Sequence, residues 1–368
     1  MKLIAAVLLS LLVIMSSLPL PSQACTEVRI KAKDGSIVVG RSMEFAQEIN
    51  SSVILQPKGQ TNVSELPGGK KGIEWTSKYG VLYLDGFGMD DLAVDGMNEA
   101  GLGLGALFFP GEAQYQDMKS DTSQTITIND LPLYILQNFG TLDEIKKALP
   151  SLNVVGIKTP QMGGIIVPAH FSVYDKTGKG IIIEYTKAGL NIYDSIGVMT
   201  NSPEYSWHLT NIKNYVELTA EGAEPIVIDG VSFASTGQGS GLMGIPGDPT
   251  PPSRFIRAGA MAYLAENPGD ATGALTLAMH IMNTVDIPLG TVRDFSDKES
   301  FGDYTQWVVG RDLTNGVLYF RTYNNMTLRS IDMKKFDMSE GAPRLTIPVN
   351  GSDGAVVDVT ADLKPAAE

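Results

Sequence analysis

This 368-residue chain holds one cysteine and three histidines, and it has no Cys-x-x-Cys pair. A lone thiol forms no internal disulfide, so an oxidising compartment would supply no staple. The same scarcity argues against a zinc site. Basic residues are few: 28 Lys and Arg stand against 41 Asp and Glu, for a formal net charge of −13. That balance excludes nucleic-acid binding through bulk electrostatics. No low-complexity linker divides the chain, and its longest apolar run, near the start, is shorter than the ~20 residues that a spanning helix needs.

That run has a different meaning. Lys2, the apolar stretch Leu3 to Val13, Pro19 and Pro21, and the small residues Ser22 and Ala24 have the layout of a cleavable export signal. The single cysteine, Cys25, directly follows the expected cut. With Lys2 gone, the net charge of the remaining chain is −14. A first-residue cysteine brings its own base, because its α-amine titrates at roughly 7.7–8.0. Three readings of Cys25 stay open at this point: an N-terminal nucleophile, the acylated first residue of a lipoprotein, or an inert apolar thiol. Ser22 stands where a lipoprotein signal normally has Leu.

Beyond Cys25, apolar and polar residues alternate to Asp34-Gly35 and again to Arg41-Ser-Met-Glu44-Phe45, which predicts a hairpin. Such a hairpin would bring Arg41 level with Cys25, where a guanidinium favours the thiolate. Strands and turns are expected from Val53 to Ala106. The glycines from Gly101 to Gly105, and those from Gly237 to Gly241, lack a following amphipathic helix and read as close backbone packing rather than nucleotide loops. Helices are predicted at Leu131 to Phe139, after the capping box Thr141-Leu-Asp-Glu144, at Pro252 to Ala265 and at Ala271 to Val285. A strand meander falls between Phe171 and Tyr193, and closing strands lie within Thr305 to Met333. His208 and His280 read as core or surface residues. The stretch Asn211 to Gly237 is a polar excursion of the kind that forms loops or subunit contacts. The tail from about Ser339 holds a strand or two and loose chain. The alternation of strand and helix groups gives an α+β class with antiparallel sheets between helix layers, in one domain over 25–368.

Cys25-Thr26, Gly40-Arg41-Ser-Met-Glu44, Asn98-Glu-Ala-Gly-Leu, Met199-Thr-Asn201-Ser-Pro203 through Trp207-His208, and Gly247-Asp248 through Ser253-Arg254-Phe255 together resemble the choloylglycine hydrolase family. That family includes bile salt hydrolases and penicillin V acylases. The resemblance spans nearly all of the chain after residue 24. It implies an N-terminal-nucleophile αββα sandwich, hydrolysis of a linear carbon–nitrogen amide, and no metal or organic cofactor. It further implies that Cys25 attacks the amide carbon, that Arg41 favours its ionised form, that Asn201 donates to the oxyanion, and that Arg254 completes the polar network. Glu44 stands where the family usually has Asp. Phe108 stands where bile salt hydrolases have Asn and penicillin acylases Tyr, which leaves its backbone N–H to serve the oxyanion.

The expected activity is that of an exported thiol hydrolase cleaving small-molecule amides between an apolar acyl group and a polar amine. Penicillin V or acyl-homoserine lactones come first as substrates, with conjugated bile salts as the alternative. Phe45, Phe87, Phe108 and Phe109 are candidate walls of the acyl pocket. The expected location is the periplasm or outside the cell, without a membrane anchor, and the family resemblance allows a homotetramer. The rival from another class is a lipid-anchored periplasmic binding protein, whose acylated amine could not act as a base.

Overall fold

Turns and periodicity place the meander strands within two residues of where they form, whereas the closing strands Tyr304–Asp312 and Arg329–Asp332 each differ by three residues at one end from the expected Thr305 to Val309 and Met326 to Met333. The computed structural model describes residues 24–293 and 302–351; the expected export signal lies outside these apart from Ala24, as does the tail beyond Gly351. Among the described residues, two antiparallel sheets carry the fold. The smaller has six strands, in the order Val198–Met199, Cys25–Lys31, Ile37–Phe45, Tyr304–Asp312, Val317–Thr322 and Arg329–Asp332. The larger has eight, in the order Gly189–Asp194, Gly180–Thr186, Ala169–Asp175, Leu102–Phe108, Met89–Asn98, Val81–Gly86, Ser52–Gln56 and Leu345–Pro348.

Helices Pro251–Leu264 and Ala271–Asn283 pack on the smaller sheet. The approach is close: a Cβ added to Gly40 would lie 3.1 Å from the Ala278 Cβ. Helices Leu131–Asn138 and Leu142–Ala148 pack on the larger sheet, above a separate apolar core. The layers therefore run helix, sheet, sheet, helix, as the sequence predicts. Every residue of Ile37–Phe45 is buried, because helices cover one face of that strand and the other sheet covers the opposite face.

Local chemistry explains several boundaries. Thr141 and Glu144 form the predicted capping box, and Pro251 and Pro252 open the longest helix among the described residues. Gly105 is required by the seam between the sheets, since a Cβ there would lie 2.4 Å from the Glu27 carboxylate. The later glycines divide: a Cβ on Gly241 would meet the Glu221 carbonyl at 2.0 Å, whereas Gly237 and Gly239 have open space and do not pack closely.

Two expectations change. The hairpin after Cys25 turns through residues 32–36 rather than two residues, and its register sets Cys25 opposite Met43 and Arg41 opposite Glu27. The excursion from Asn211 is less polar than it reads. Its short hairpin, Ile226–Ile228 paired with Val231–Phe233, exposes Ile226, Val227, Ile228, Val231 and Phe233.

Candidate active site

Cys25 begins the strand Cys25–Lys31 in the middle of the fold, 2 % exposed. Arg41 reaches it diagonally across the hairpin, with Nη2 3.7 Å from Sγ. The guanidinium is held from three sides: Nη1 donates to the Val94 carbonyl at 2.8 Å and to Asp95 Oδ2 at 3.2 Å, and Nη2 donates to the Ala106 carbonyl. Burial pushes the Cys25 thiol above its ordinary value; Arg41 opposes this, Glu44 adds to it, and Arg254 opposes it. With Ala24 attached, desolvation thus outweighs the cation that the sequence places beside the thiol.

The backbone N–H of Cys25 donates to Asn201 Oδ1 at 2.6 Å. Arg254 Nη2 donates to that same oxygen at 2.8 Å, while its Nη1 donates to the Cys25 carbonyl and, at 2.6 Å, to Thr26 Oγ1. The motif Asp248-Pro-Thr-Pro-Pro-Ser253 presents Arg254: Asp248 accepts from the Thr250 N–H and hydroxyl and from the Ser253 hydroxyl, tying the helix entry. Two imidazoles fix Asn201 from behind. His170 Nε2 donates to the Thr200 carbonyl and His208 Nε2 to the Asn201 carbonyl, each at 2.9 Å, and since a carbonyl only accepts, both Nε2 atoms carry the proton. Burial lowers His208 to about 4, so it is neutral at pH 7. Both His208 and His170 are core residues, whereas His280 is exposed.

Asn201 Nδ2 donates to the Phe108 carbonyl at 2.8 Å, which leaves one amide hydrogen over. The neighbouring rung runs from Phe109 N–H to the Pro168 carbonyl, so Phe108 and Ala169 form a non-hydrogen-bonded pair. The Phe108 N–H therefore points to the same side as its carbonyl, toward Asn201.

Glu44 faces Thr305 across the strands and accepts from its hydroxyl at 2.8 Å, while Oε2 is buried without a hydrogen-bond partner. Burial raises its carboxyl to about 7, with Arg254 pulling the other way.

In front of Cys25 lies an apolar cavity of about 60 Å³. Phe45, Phe87 and Phe108 line it, with Met43 and Met162. Phe45 and Phe87 meet edge to face at 5.2 Å between ring centres. Phe87 is held at φ +59 in the turn joining two strands, a strained backbone for an aromatic residue. Phe109 is not part of this wall. Successive extended residues point to opposite faces, so Phe109 is turned away and stacks on His170 at 4.2 Å.

Behind Cys25 lies a charged layer that the sequence analysis missed. Arg311 pairs with Glu27 and lies 3.5 Å from Asp95, and Ser172 donates to Glu27. Glu27, Asp95 and Arg311 are fully buried. Burial raises Asp95 to about 6 against the pull of Arg311 and Arg41. Asn98, part of the family-like motifs, is structural: Nδ2 donates to the carbonyls of Leu136 and Phe139, both at 2.8 Å, fastening a turn to a helix.

The arrangement matches known proteins over most of the chain. The family model for linear amide C–N hydrolases, choloylglycine hydrolase family, matches residues 25–354. A bile salt hydrolase/transferase of Clostridium perfringens is 35% identical over 318 residues, covering 84% of this chain and 93% of the relative. A penicillin V acylase of Pectobacterium atrosepticum is 31% identical over 181 residues, or 47% of each chain. The crystal structure of a variant of the conjugated bile acid hydrolase from Clostridium perfringens superposes with a TM-score of 0.80 at 33% identity, covering 91% of this chain and all of the other. Sequence, layer order and fold agree, and the chain belongs to the choloylglycine hydrolase family of linear amide C–N hydrolases, with their N-terminal-nucleophile sandwich.

Proposed function

We propose that the protein is exported, is cut after Ala24, and uses Cys25 to hydrolyse an amide between an apolar acyl group and a polar amine. The observation that carries this reading is the contact of the Cys25 nitrogen with Asn201 Oδ1 at 2.6 Å, beside a thiol that opens on an apolar cavity. A free α-amine at that nitrogen would keep Asn201 Oδ1 as its acceptor, with the buried Glu44 carboxylate near enough for its charge to act on Cys25. It accepts the thiol proton. Sγ then attacks the amide carbon, and the oxyanion takes hydrogen bonds from the remaining Asn201 Nδ2 hydrogen and the Phe108 N–H, contacts worth about 2.7–4 kcal/mol each in such sites. Collapse of the tetrahedral adduct breaks the carbon–nitrogen bond, and the leaving amine collects the proton from the α-ammonium. Water, deprotonated by the same amine, releases the acyl group from the thioester. Arg41 and Arg254 hold the thiol and the amine end throughout, and no metal or cofactor takes part.

Conjugated bile salts lead the candidate substrates, because the bile salt hydrolase relative matches this chain over 93% of its own length and the penicillin V acylase over 47%. Penicillin V and acyl-homoserine lactones, which come first from the sequence alone, keep the support of the aromatic wall at Phe108. The cavity is smaller than the ~150 Å³ that admits benzene in an engineered core, so its walls must part for any of these acyl groups. The family match begins at residue 25, which supports the cut and thereby a periplasmic or secreted enzyme. The five exposed apolar side chains of the hairpin at 226–233 support self-association, with a homotetramer the form proposed.

The test is amine release by the processed protein from glycocholate, penicillin V and a long-chain acyl-homoserine lactone, with Cys25→Ala alongside. The expected result is turnover that falls at least about a thousandfold in the variant. Turnover surviving in Cys25→Ala would overturn the mechanism. Intact mass and light scattering of the exported protein test the cut, the absence of a lipid anchor, and the oligomer.

A further inference from the structure

Glu184 is a fully buried acidic residue that the proposed hydrolysis does not use, and it stands behind the two oxyanion donors. It lies on the strand Gly180–Thr186, one rung beyond the Phe171–Ile183 pair and so opposite His170. Its Oε1 meets His170 Nδ1 at 3.1 Å and accepts the Tyr205 N–H at 3.0 Å, while Oε2 has no hydrogen-bond partner among the described residues. One oxygen therefore serves both contacts. His170 Nε2 already carries the proton given to the Thr200 carbonyl, so the contact between Nδ1 and Glu184 needs a second proton. An imidazolium beside a carboxylate and a neutral ring beside a carboxylic acid both meet that need, and both leave the pair without net charge.

Both imidazoles behind Asn201 depend on this oxygen. His170 is bound to it directly, holds the Thr200 carbonyl, and stacks at 4.2 Å on Phe109, the residue after the second proposed donor. His208 depends on it through the helix Tyr205–Asn211, whose first N–H is the one that Glu184 accepts. His208 in turn donates to the Asn201 carbonyl and stacks at 4.6 Å on Phe255, next to Arg254. A glutamine in this place cannot do the same. Its amide oxygen at the Oε1 position would need a charged His170 with no carboxylate against it, and its amide nitrogen there would face the Tyr205 N–H donor to donor.

We infer that Glu184 is a positioning residue for the hydrolysis: through the proton it shares with His170 and its hold on Tyr205, it sets the place of Asn201 Nδ2 and the Phe108 N–H. The inference rests on the proposed role of those two donors. Glu184 does not line the cavity before Cys25, so its effect falls on the transition state and not on the bound acyl group. A misplacement of about 1 Å can cost on the order of a hundredfold in rate.

The experiment compares processed wild type, Glu184→Gln, Asn201→Ala and the double variant on the substrate that wild type turns over fastest. Glu184→Gln is expected to lower kcat roughly tenfold to a hundredfold, with KM within about threefold of wild type. In the Asn201→Ala background the same change should cost less than about threefold, because the donor it positions is already gone. Alkylation of Cys25 by iodoacetamide builds no oxyanion, so Glu184→Gln should react within about twofold of the wild-type rate, which also reports an intact fold and thiol. Equal losses in both backgrounds, a matching loss of alkylation, a loss falling mainly in KM, or an unchanged kcat would overturn the inference. Crystal structures of wild type and Glu184→Gln separate it from the proposed activity. An Asn201 Nδ2 that leaves the Phe108 carbonyl in the variant, with no turnover in wild type, keeps the positioning role and sinks the hydrolysis; turnover with an unmoved Asn201 does the reverse; neither displacement nor turnover sinks both.

Discussion

Cys25 stands between two unlike surroundings. Behind it, Arg41, Asp95, Glu27 and Arg311 form a charged layer that is wholly buried, and in front of it lies a cavity walled by Phe45, Phe87 and Phe108. The charged side fixes the position of the thiol, since Arg41 is held by two carbonyls and a carboxylate before it touches Sγ. The apolar side has no comparable network and can adapt to an acyl group. The geometry of the thiol and the shape of the cavity therefore depend on different residues, and each side can be disturbed separately.

The largest disturbance should come from the charged side. Arg311→Met leaves Glu27 and Asp95 buried with too little positive charge, and removing one partner of such a cluster costs about 3–5 kcal/mol. Urea unfolding should show that loss, and a change below about 1 kcal/mol would mean that the layer does not support the fold. Asn201→Ala should lower kcat about a hundredfold to a thousandfold through loss of the oxyanion donor. Its KM should change much less, and a split falling mainly in KM would contradict that role.

Glu44 sharpens the comparison through pH. Its folded carboxyl titrates at about 7 while Ala24 is attached, above the roughly 4.3 of an unfolded glutamate. The folded state then holds this proton more tightly. Its contribution to stability is complete below about pH 4 and is lost as pH rises to about 7, a change of at most about 4 kcal/mol. In protein retaining Ala24, Glu44→Gln should flatten that slope, leaving the weaker one expected of Asp95 near 6. Cutting after Ala24 should flatten it too, because a cationic amine beside Oε2 lowers the carboxyl. Unfolding at pH 5 and pH 8 measures both, and unchanged slopes would remove Glu44 as the amine's partner. The smallest effect belongs to the apolar side. Phe87→Ala should raise KM several-fold with kcat little altered, and a large fall in kcat would show that the wall helps to place the thiol.

Much of this was legible in the sequence because it is local. Thr141 and Glu144 announce a helix start three residues apart, and Pro252 lies one residue inside the start of another. Cys25, Arg41, Glu44, Asn201 and Arg254 were recognisable as a set only through family resemblance, and the structure gathers all five around one nitrogen and one sulfur. Glu27, Asp95 and Arg311 were not legible. A single charge within an alternating strand reads as solvent-facing, and period-two patterning cannot tell water from a second sheet. Phe109 was misassigned for a related reason, since composition ignores which face a residue takes.

The turn at residues 32–36, on the opposite end of the hairpin from the thiol, acts as a ruler for the position of Cys25. Asp34 Oδ1 accepts the Ser36 N–H at 2.8 Å, and Gly35 sits at φ +91 with open space around it. Its composition can drift, but its length cannot: one added residue would slide every rung from Lys31–Ile37 to Cys25–Met43 out of phase. The sulfur would then face the helices instead of the cavity, and a change in an outlying surface turn would silence the enzyme without touching any residue of its centre.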